Sequence, residues 1–225
     1  AVHNENKKKL IAYANSQSSK ALDPDILTIG FARRAATYKR AHLIFHDMEK
    51  LLEIGKGIIQ IIFSGKAHPK DMSGKSIIRN IVQSAKKFDG KIKIIYLENY
   101  DMWLGRLITS GVDLWLNTPQ RPNEASGTSG MKAALNGIPN FSILDGWWAE
   151  GCRDGQNGWA IGNHEALGDE TDARDLYSKL QNQIIPKFYD DREGWVKMMK
   201  ESIKTSVDFA AQRMVSQYYE MFYKK

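Results

Sequence analysis

A carboxylate, Glu124, and an amine, Lys132, bracket a run of small residues, Ala125-Ser126-Gly127-Thr128-Ser129-Gly130-Met131. The first part of that run is too rich in Gly, Ser and Thr for a strand or helix interior. Residues 131–136 are good helix formers, and Gly137, with Pro139 behind it, stops them. The pattern predicts a loop that opens a short helix, with Thr128 or Ser129 as N-cap and Lys132 in the first turn. Unpaired backbone N–H groups at such an opening attract an anion. A lysine side chain leans back toward the helix start, and a neutral amine is what attacks an aldehyde. An anion cradle beside an imine-forming lysine is what pyridoxal phosphate requires. On spacing alone, that cofactor is a suggestion.

A second basic group, Arg33, Arg34, Lys39 and Arg40, follows an apolar run at residues 26–31. Without context, an exposed basic helix face is the better reading. Arg34 and Lys39, five positions apart, would point about 140° apart on a continuous helix. They converge on one anion only if Arg34 lies in a loop and Lys39 in the next turn, and the end of a strand permits that. Forked Arg plus Lys then suits phosphate. Glu124 is either a loop carboxylate in water or, beside backbone amides, a holder of sugar hydroxyls. Trp147 and Trp148, after Asp145-Gly146, are as ready to pack under a neighbouring domain as to stack on a sugar. Gly74-Lys75-Ser76 imitates the end of a P-loop. Pro69 stands where that pattern needs its first glycine, and no strand runs directly into it.

Strand and helix patterns alternate along the chain and must position these groups. Helices are predicted at residues 3–18, about 32–53, about 70–88 and 101–110, and from 172 to the end with breaks near Pro186 and Gly194. Strands are predicted at residues 26–31, 58–63, 92–97, 112–116, 140–144 and about 159–161, with Asp89-Gly90 turning the chain into the third. This alternation predicts an α/β fold: one doubly wound, mostly parallel, Rossmann-like sheet forming a single domain over residues 1–225. Ligands of such sheets bind outside the carboxyl ends of the strands. Residues 30–34, 64–68, 99–100, 117–128 and 145–148 should gather there.

With 225 residues and 42% apolar content, the chain can bury a sizeable core and is not a disordered segment. No apolar run is long enough to span a bilayer and no signal-peptide pattern opens the chain, so no membrane partner is expected. The single cysteine, Cys152, excludes an internal disulfide framework and suits the cytoplasm. The five histidines are scattered, and neither CxxC nor HExxH occurs, so no metal site is expected. The net charge of +6 is dispersed over amphipathic segments, which favours a solvated lysine surface over a nucleic-acid patch. The start at Ala1, without methionine and directly on a polar helical pattern, reads as a fragment or a processed terminus.

Three blocks together resemble the carboxyl-terminal domain of an α-glucan phosphorylase (glycogen, starch or maltodextrin), of the shorter type found in bacteria and archaea. Gly30-Phe31-Ala32-Arg33-Arg34-Ala35-Ala36-Thr37-Tyr38-Lys39-Arg40 is similar to the family's phosphate-binding block, Arg-x-x-x-Tyr-Lys. Leu97-Glu98-Asn99-Tyr100 is similar to the block that precedes its sugar-binding Glu. Glu124 to Lys132, with Leu135-Asn136-Gly137, resembles its pyridoxal-phosphate signature. The resemblance implies that Lys132 bonds the aldehyde of pyridoxal 5'-phosphate. It implies that Thr128, Ser129 and Arg33 hold the cofactor's phosphate, with Tyr100 lining that site. Arg34 and Lys39 would bind the substrate phosphate, so that Lys132, Arg34 and Lys39 carry the catalysis. Glu124, Ser126 and Gly127 would hold the glucosyl unit.

The implied reaction is reversible, retaining phosphorolysis of an α-1,4-glucan by inorganic phosphate to glucose 1-phosphate, with the cofactor's phosphate moving the proton. The implied architecture is the carboxyl-terminal half of a two-domain GT-B glycosyltransferase, whose own amino-terminal domain is absent from this chain and whose copies could form a homo-oligomer. Alone, the chain is expected to lack turnover. Ser129-Gly130 stands where long-type enzymes have Gly-Asn, Asp101 where they have a basic residue, and Arg33 where they have Lys. These departures bear on how the cofactor's phosphate is held.

Two other readings compete. A glycogen- or starch-synthase-like enzyme using a sugar nucleotide shares the architecture, but it carries a second Glu eight residues after the first, and Lys132 occupies that position. A non-catalytic glucan-binding domain would not need Arg34, Lys39, Glu124 and Lys132 intact.

Overall fold

In the computed structural model, residues 1–88, 90–166 and 168–224 are described; Asp89, of the expected turn, lies outside them. Six strands form one sheet: β1 (Leu27–Ala32), β2 (Ile59–Ser64), β3 (Lys93–Leu97), β4 (Leu114–Asn117), β5 (Asn140–Ile143) and β6 (Gly158–Ile161). Their order is β3-β2-β1-β4-β5-β6, and every pairing is parallel. The order reverses between β1 and β4, which makes the crevice beyond their carboxyl ends the place for a ligand.

The strands are apolar because both faces are covered. Ile29 and Phe31 of β1, Ile61 and Phe63 of β2, and Leu114 and Leu116 of β4 feed one core cluster. That cluster lies under α2 (Met48–Gly55), α3 (Met72–Lys87), α7 (Asp169–Lys179) and α9 (Arg192–Val207). The intervening Ala32, Ile62 and Trp115 enter a second cluster on the opposite face. It packs under α1 (Val2–Ser16), α4 (Met102–Gly111) and α5 (Thr128–Leu135). Each large side chain so buried is worth about 1.5–3 kcal/mol. Buried Lys7 pins α1 to the sheet through Asp113, 2.6 Å away, which also accepts the backbone N–H of Thr28 at 2.8 Å.

Most expected elements form within a residue or two of their sequence limits, but three expectations fail. The helix expected over residues 32–53 exists only as α2. Before it, Arg33 N–H still donates to Ser64 O and Ala35 N–H to Lys66 O, so the chain stays extended alongside β2. Short 3-10 turns then occupy Thr37–Lys39 and Leu43–Phe45, separated by Arg40 in the left-handed region at φ 43°. Asp47 caps α2 by accepting Lys50 N–H.

Pro186 does not break the carboxyl-terminal helix. The chain runs from α7 through a π segment (Leu180–Ile184) into α8 (Ile185–Asp190), whose first turn accommodates the proline. The break comes instead at Asp191, which caps α9 and places Gly194 in its first turn. Finally, Trp147 and Trp148 are buried within this chain. Trp148 lies in a short helix, α6 (Trp148–Gly151), and its Nε1–H donates to Trp159 O at 3.2 Å. Trp147 stacks edge-on against Phe209, 5.1 Å between centroids, so neither indole is left for a sugar.

Candidate functional site

Beyond the carboxyl ends of β1 and β4, Arg33, Lys39 and Glu124 form one ion cluster. Arg33 leaves β1 and donates from its guanidinium to Asn117 Oδ1, the last residue of β4, and to Glu124 Oε2 at 2.5 Å. Lys39 ends the first 3-10 turn, and its ammonium donates to Glu124 Oε1 at 2.9 Å and Oε2 at 2.7 Å. That ammonium also lies 4.3 Å from the centroid of the Tyr38 ring. All three charged side chains are less than a tenth exposed. Burial pushes the Glu124 carboxyl up, but the hydrogen bonds and charges of Lys39 and Arg33 outweigh it and hold the group below its usual value.

The loop carrying Glu124 is fixed by residues that sequence reasoning placed at this edge without assigning them a part. Asp145, just after β5, accepts Glu124 N–H on Oδ2 at 2.8 Å and Gly146 N–H on Oδ1 at 3.0 Å. Trp147 N–H donates to Ser126 O at 2.9 Å. Asn117 donates to Ser142 Oγ at 3.1 Å, tying the ends of β4 and β5. Nothing in their types marked Asn117 and Asp145 out; their positions at strand ends were the only signal.

Arg40 parts company with its basic neighbours. Its guanidinium is buried and donates to Thr118 O and Pro119 O at 3.1 and 2.8 Å while pairing with Asp169 and Asp172 at 2.8 and 2.7 Å. Thr118 Oγ1 returns a bond to Arg40 O at 3.0 Å. Arg40 is therefore the clasp between the Lys39 turn and the loop leading to Glu124.

The helix opening differs from expectation in two ways. Gly127, not Thr128 or Ser129, is the N-cap, in the left-handed region at φ 85° that a residue with a side chain resists. Lys132 lies in the last turn of α5 rather than the first. Spacing of four residues still puts it on the same face as Thr128, its side chain leaning toward the opening. Both residues are exposed. The helix ends as predicted: Gly137 at φ 76° donates to Ala134 O, and Ile138 N–H to Ala133 O, both at 2.9 Å.

No side chain caps α5, so its first N–H groups face outward. Within that first turn the Ser129 hydroxyl is buried without a partner among the described residues, as is Arg33 Nε–H at the end of β1. Buried donors without acceptors are rare in native proteins and mark places where a further group belongs. Arg34, in the loop after β1, is exposed and has no hydrogen-bond or ion-pair partner among the described residues.

Tyr100 lies half-buried against α4, where a Cβ on Gly105 would come within 2.8 Å of its hydroxyl. Burial, then the charge of Asp101, holds that hydroxyl above its usual 10.0. Asp101 itself caps α4 by accepting Leu104 N–H at 2.8 Å. Among the described residues no hydrogen bond links Tyr100, Arg34 or Lys132 to the ion cluster. Among the described residues, too, no three His, Cys, Asp or Glu side chains gather as metal ligands, and no helix is long and apolar enough to cross a membrane.

Comparison with known proteins supplies a family. Residues 1–152 match the family model described as carbohydrate phosphorylase. Over 214 residues the chain is 50% identical to maltodextrin phosphorylase of Thermococcus litoralis, covering 91% of this chain and 26% of that protein. It is 48% identical over 215 residues to glycogen phosphorylase of Aquifex aeolicus, covering 91% and 31%. With glycogen phosphorylase of Mycobacterium tuberculosis it shares 45% identity over 217 residues, covering 90% and 25%. The chain thus spans about a quarter to a third of the length of these curated relatives.

Proposed function

The chain belongs to the carbohydrate phosphorylase family, and from that premise we propose that it is the cofactor- and phosphate-binding domain of an α-glucan phosphorylase. The reaction is the reversible, retaining cleavage of an α-1,4-glucan by inorganic phosphate, releasing glucose 1-phosphate. The observation that carries the reading is the buried, unpartnered hydroxyl of Ser129 at the uncapped opening of the helix that bears Lys132.

The donor set suits pyridoxal phosphate. Ser129, Thr128, the first N–H groups of α5 and Arg33 would hold its phosphate, with Lys132 bonding its aldehyde carbon and Tyr100 walling the site. When bound, the cofactor supplies a phosphate able to exchange a proton with the substrate phosphate. Lys39 and Arg34 supply positive charge for that substrate phosphate, and a guanidinium fork and an ammonium suit an oxyanion. Glu124, with the loop at Ser126 and Gly127, accepts hydroxyls of the glucosyl unit. Asp145 and Arg40 keep the Glu124 loop and the Lys39 turn in register, so that these groups meet reactants already oriented. The cluster's burial keeps competing water from the charges. The opposite wall of the cleft, which closes over the glucan, belongs to the protein's own amino-terminal domain. The cytoplasm, where a chain with one cysteine needs no disulfide, is the place of action.

The test is an assay of the full-length protein with glucan plus phosphate and, separately, with glucan plus a sugar nucleotide. Release of glucose 1-phosphate in the first supports the reading. Chain extension from the sugar nucleotide, with no phosphorolysis, overturns it.

A further inference from the structure

Glu124 cannot serve two sets of donors at once. Its Oε2 accepts from both Lys39 and Arg33, which uses both lone pairs, and its Oε1 accepts from Lys39 as well. In this arrangement the carboxylate occupies the Lys39 ammonium that an anionic ligand needs, and the ammonium occupies the oxygen that a hydroxylated ligand needs. The cluster carries two positive charges and one negative, so a net positive charge is left to attract an anion. The loop amide of Glu124 is anchored by Asp145, so the backbone stays put when the side chain changes partners.

Resting on the phosphorylase reading, we infer that inorganic phosphate and the Glu124 carboxylate exchange places on the Lys39 ammonium, Arg33 staying on Oε2, so that binding of phosphate releases Glu124 Oε1 to hold the sugar. Buried cations need a counter-charge at every stage, because an unpaired charge out of water is costly. Phosphate provides it as the carboxylate leaves. The freed Oε1 then accepts sugar hydroxyls at full strength. The two ligands therefore bind with positive coupling, and linkage makes the coupling reciprocal. Glu124 is thus a gate as well as a sugar contact: it keeps the Lys39 ammonium quiet until its proper anion arrives, and it commits to the sugar only then.

Calorimetric titrations of the full-length protein loaded with pyridoxal phosphate, using inorganic phosphate and glucose, each in the absence and presence of the other, read the coupling directly. Saturating glucose should tighten phosphate binding at least about five-fold, with the same factor for glucose when phosphate saturates. In Glu124→Gln, phosphate alone should bind more tightly than to the wild type, and glucose should no longer change its affinity. Coupling that is absent or negative in the wild type overturns the inference, as does a Glu124→Gln chain that binds phosphate no better. Where Glu124→Gln does not fold, the Glu124 carboxyl carbon resonance of the wild type, assigned by difference against Glu124→Asp, provides the second measurement. Phosphate alone should move it, and a resonance that stays fixed while phosphate binds contradicts the exchange. Failure of phosphate to bind either chain at tens of millimolar overturns the inference together with the assignment of Lys39 to phosphate. Phosphate binding that glucose leaves untouched overturns the inference alone.

Discussion

Lys39 Nζ lies 2.9 and 2.7 Å from the two carboxylate oxygens of Glu124, 85 positions further along the chain. The pair joins the turn after β1 to the loop after β4, across the point where the strand order reverses. Neighbouring parallel strands deliver their following loops to the same edge, which is how residues so distant in sequence become partners. Arg33 completes the pair from the end of β1. Held together by strand ends rather than by a flexible loop alone, the three charges form a preorganised site.

The first prediction concerns pH. The Glu124 carboxyl is held below its ordinary 4.5 in the folded chain. A depressed carboxylate contributes stability that is fully present above its unfolded pKa and is lost as pH falls through the folded value. Urea unfolding of the wild type and Glu124→Gln should show a constant stability gap from neutral pH down to about pH 5, closing on further acidification. A gap that widens in acid would contradict the ion cluster.

Arg40 should matter for stability more than its exposed neighbour Arg34. Its guanidinium satisfies two carbonyls and two carboxylates in a buried setting. Arg40→Met should cost about 3–5 kcal/mol, read by urea unfolding, because it strands the buried Asp172 and orphans Thr118 O and Pro119 O. Arg34→Met should stay within about 0.5 kcal/mol of the wild type.

Asp145 is predicted to act through Glu124. Asp145→Ala removes the acceptor for the buried Glu124 N–H and should cost about 1–3 kcal/mol. Asp145→Asn keeps one acceptor oxygen and should recover part of the loss. Equal losses in the two variants would show that the acceptor is not what matters.

Gly130 sits where α5 touches the sheet edge. A Cβ there would come within 2.5 Å of Asn140 Oδ1 and 2.9 Å of Trp147 Nε1. Asn140 Nδ2 donates to Gly130 O at 3.1 Å, so the two segments cannot simply part. Gly130→Ala should therefore destabilise the chain by about 1–3 kcal/mol despite alanine's better helix propensity. A stabilised variant would mean that this contact is looser than described.

The sheet was legible because its strands are short apolar runs punctuated by helical periodicity, and the run at residues 26–31 leads straight to Arg33. The Glu124–Lys132 stretch was legible for the same local reason: small residues, then helix formers, then Gly137. What the sequence hid was decided at a distance. Residues 32–53 carry helical spacing, yet pairing of Arg33 with Ser64 and of Ala35 with Lys66 keeps the start of that stretch extended, and the contacts of Arg40 hold its left-handed turn, so the α-helix begins only at Met48. The N-cap fell on Gly127 because the loop is pulled against β5 by Trp147 and Asp145, overriding the capping preference of Thr128. Arg40 read as one of four basic residues on an exposed face and is a buried clasp, a distinction that only its partners reveal.

The most direct test of the account is chemical labelling of Lys132. The protein is incubated with pyridoxal phosphate, reduced with borohydride, digested and analysed by mass spectrometry. The account predicts one dominant pyridoxyl mass, on the peptide containing Lys132, and its disappearance in Lys132→Arg. A label spread over surface lysines, or its absence from the Lys132 peptide of the full-length protein, would contradict it.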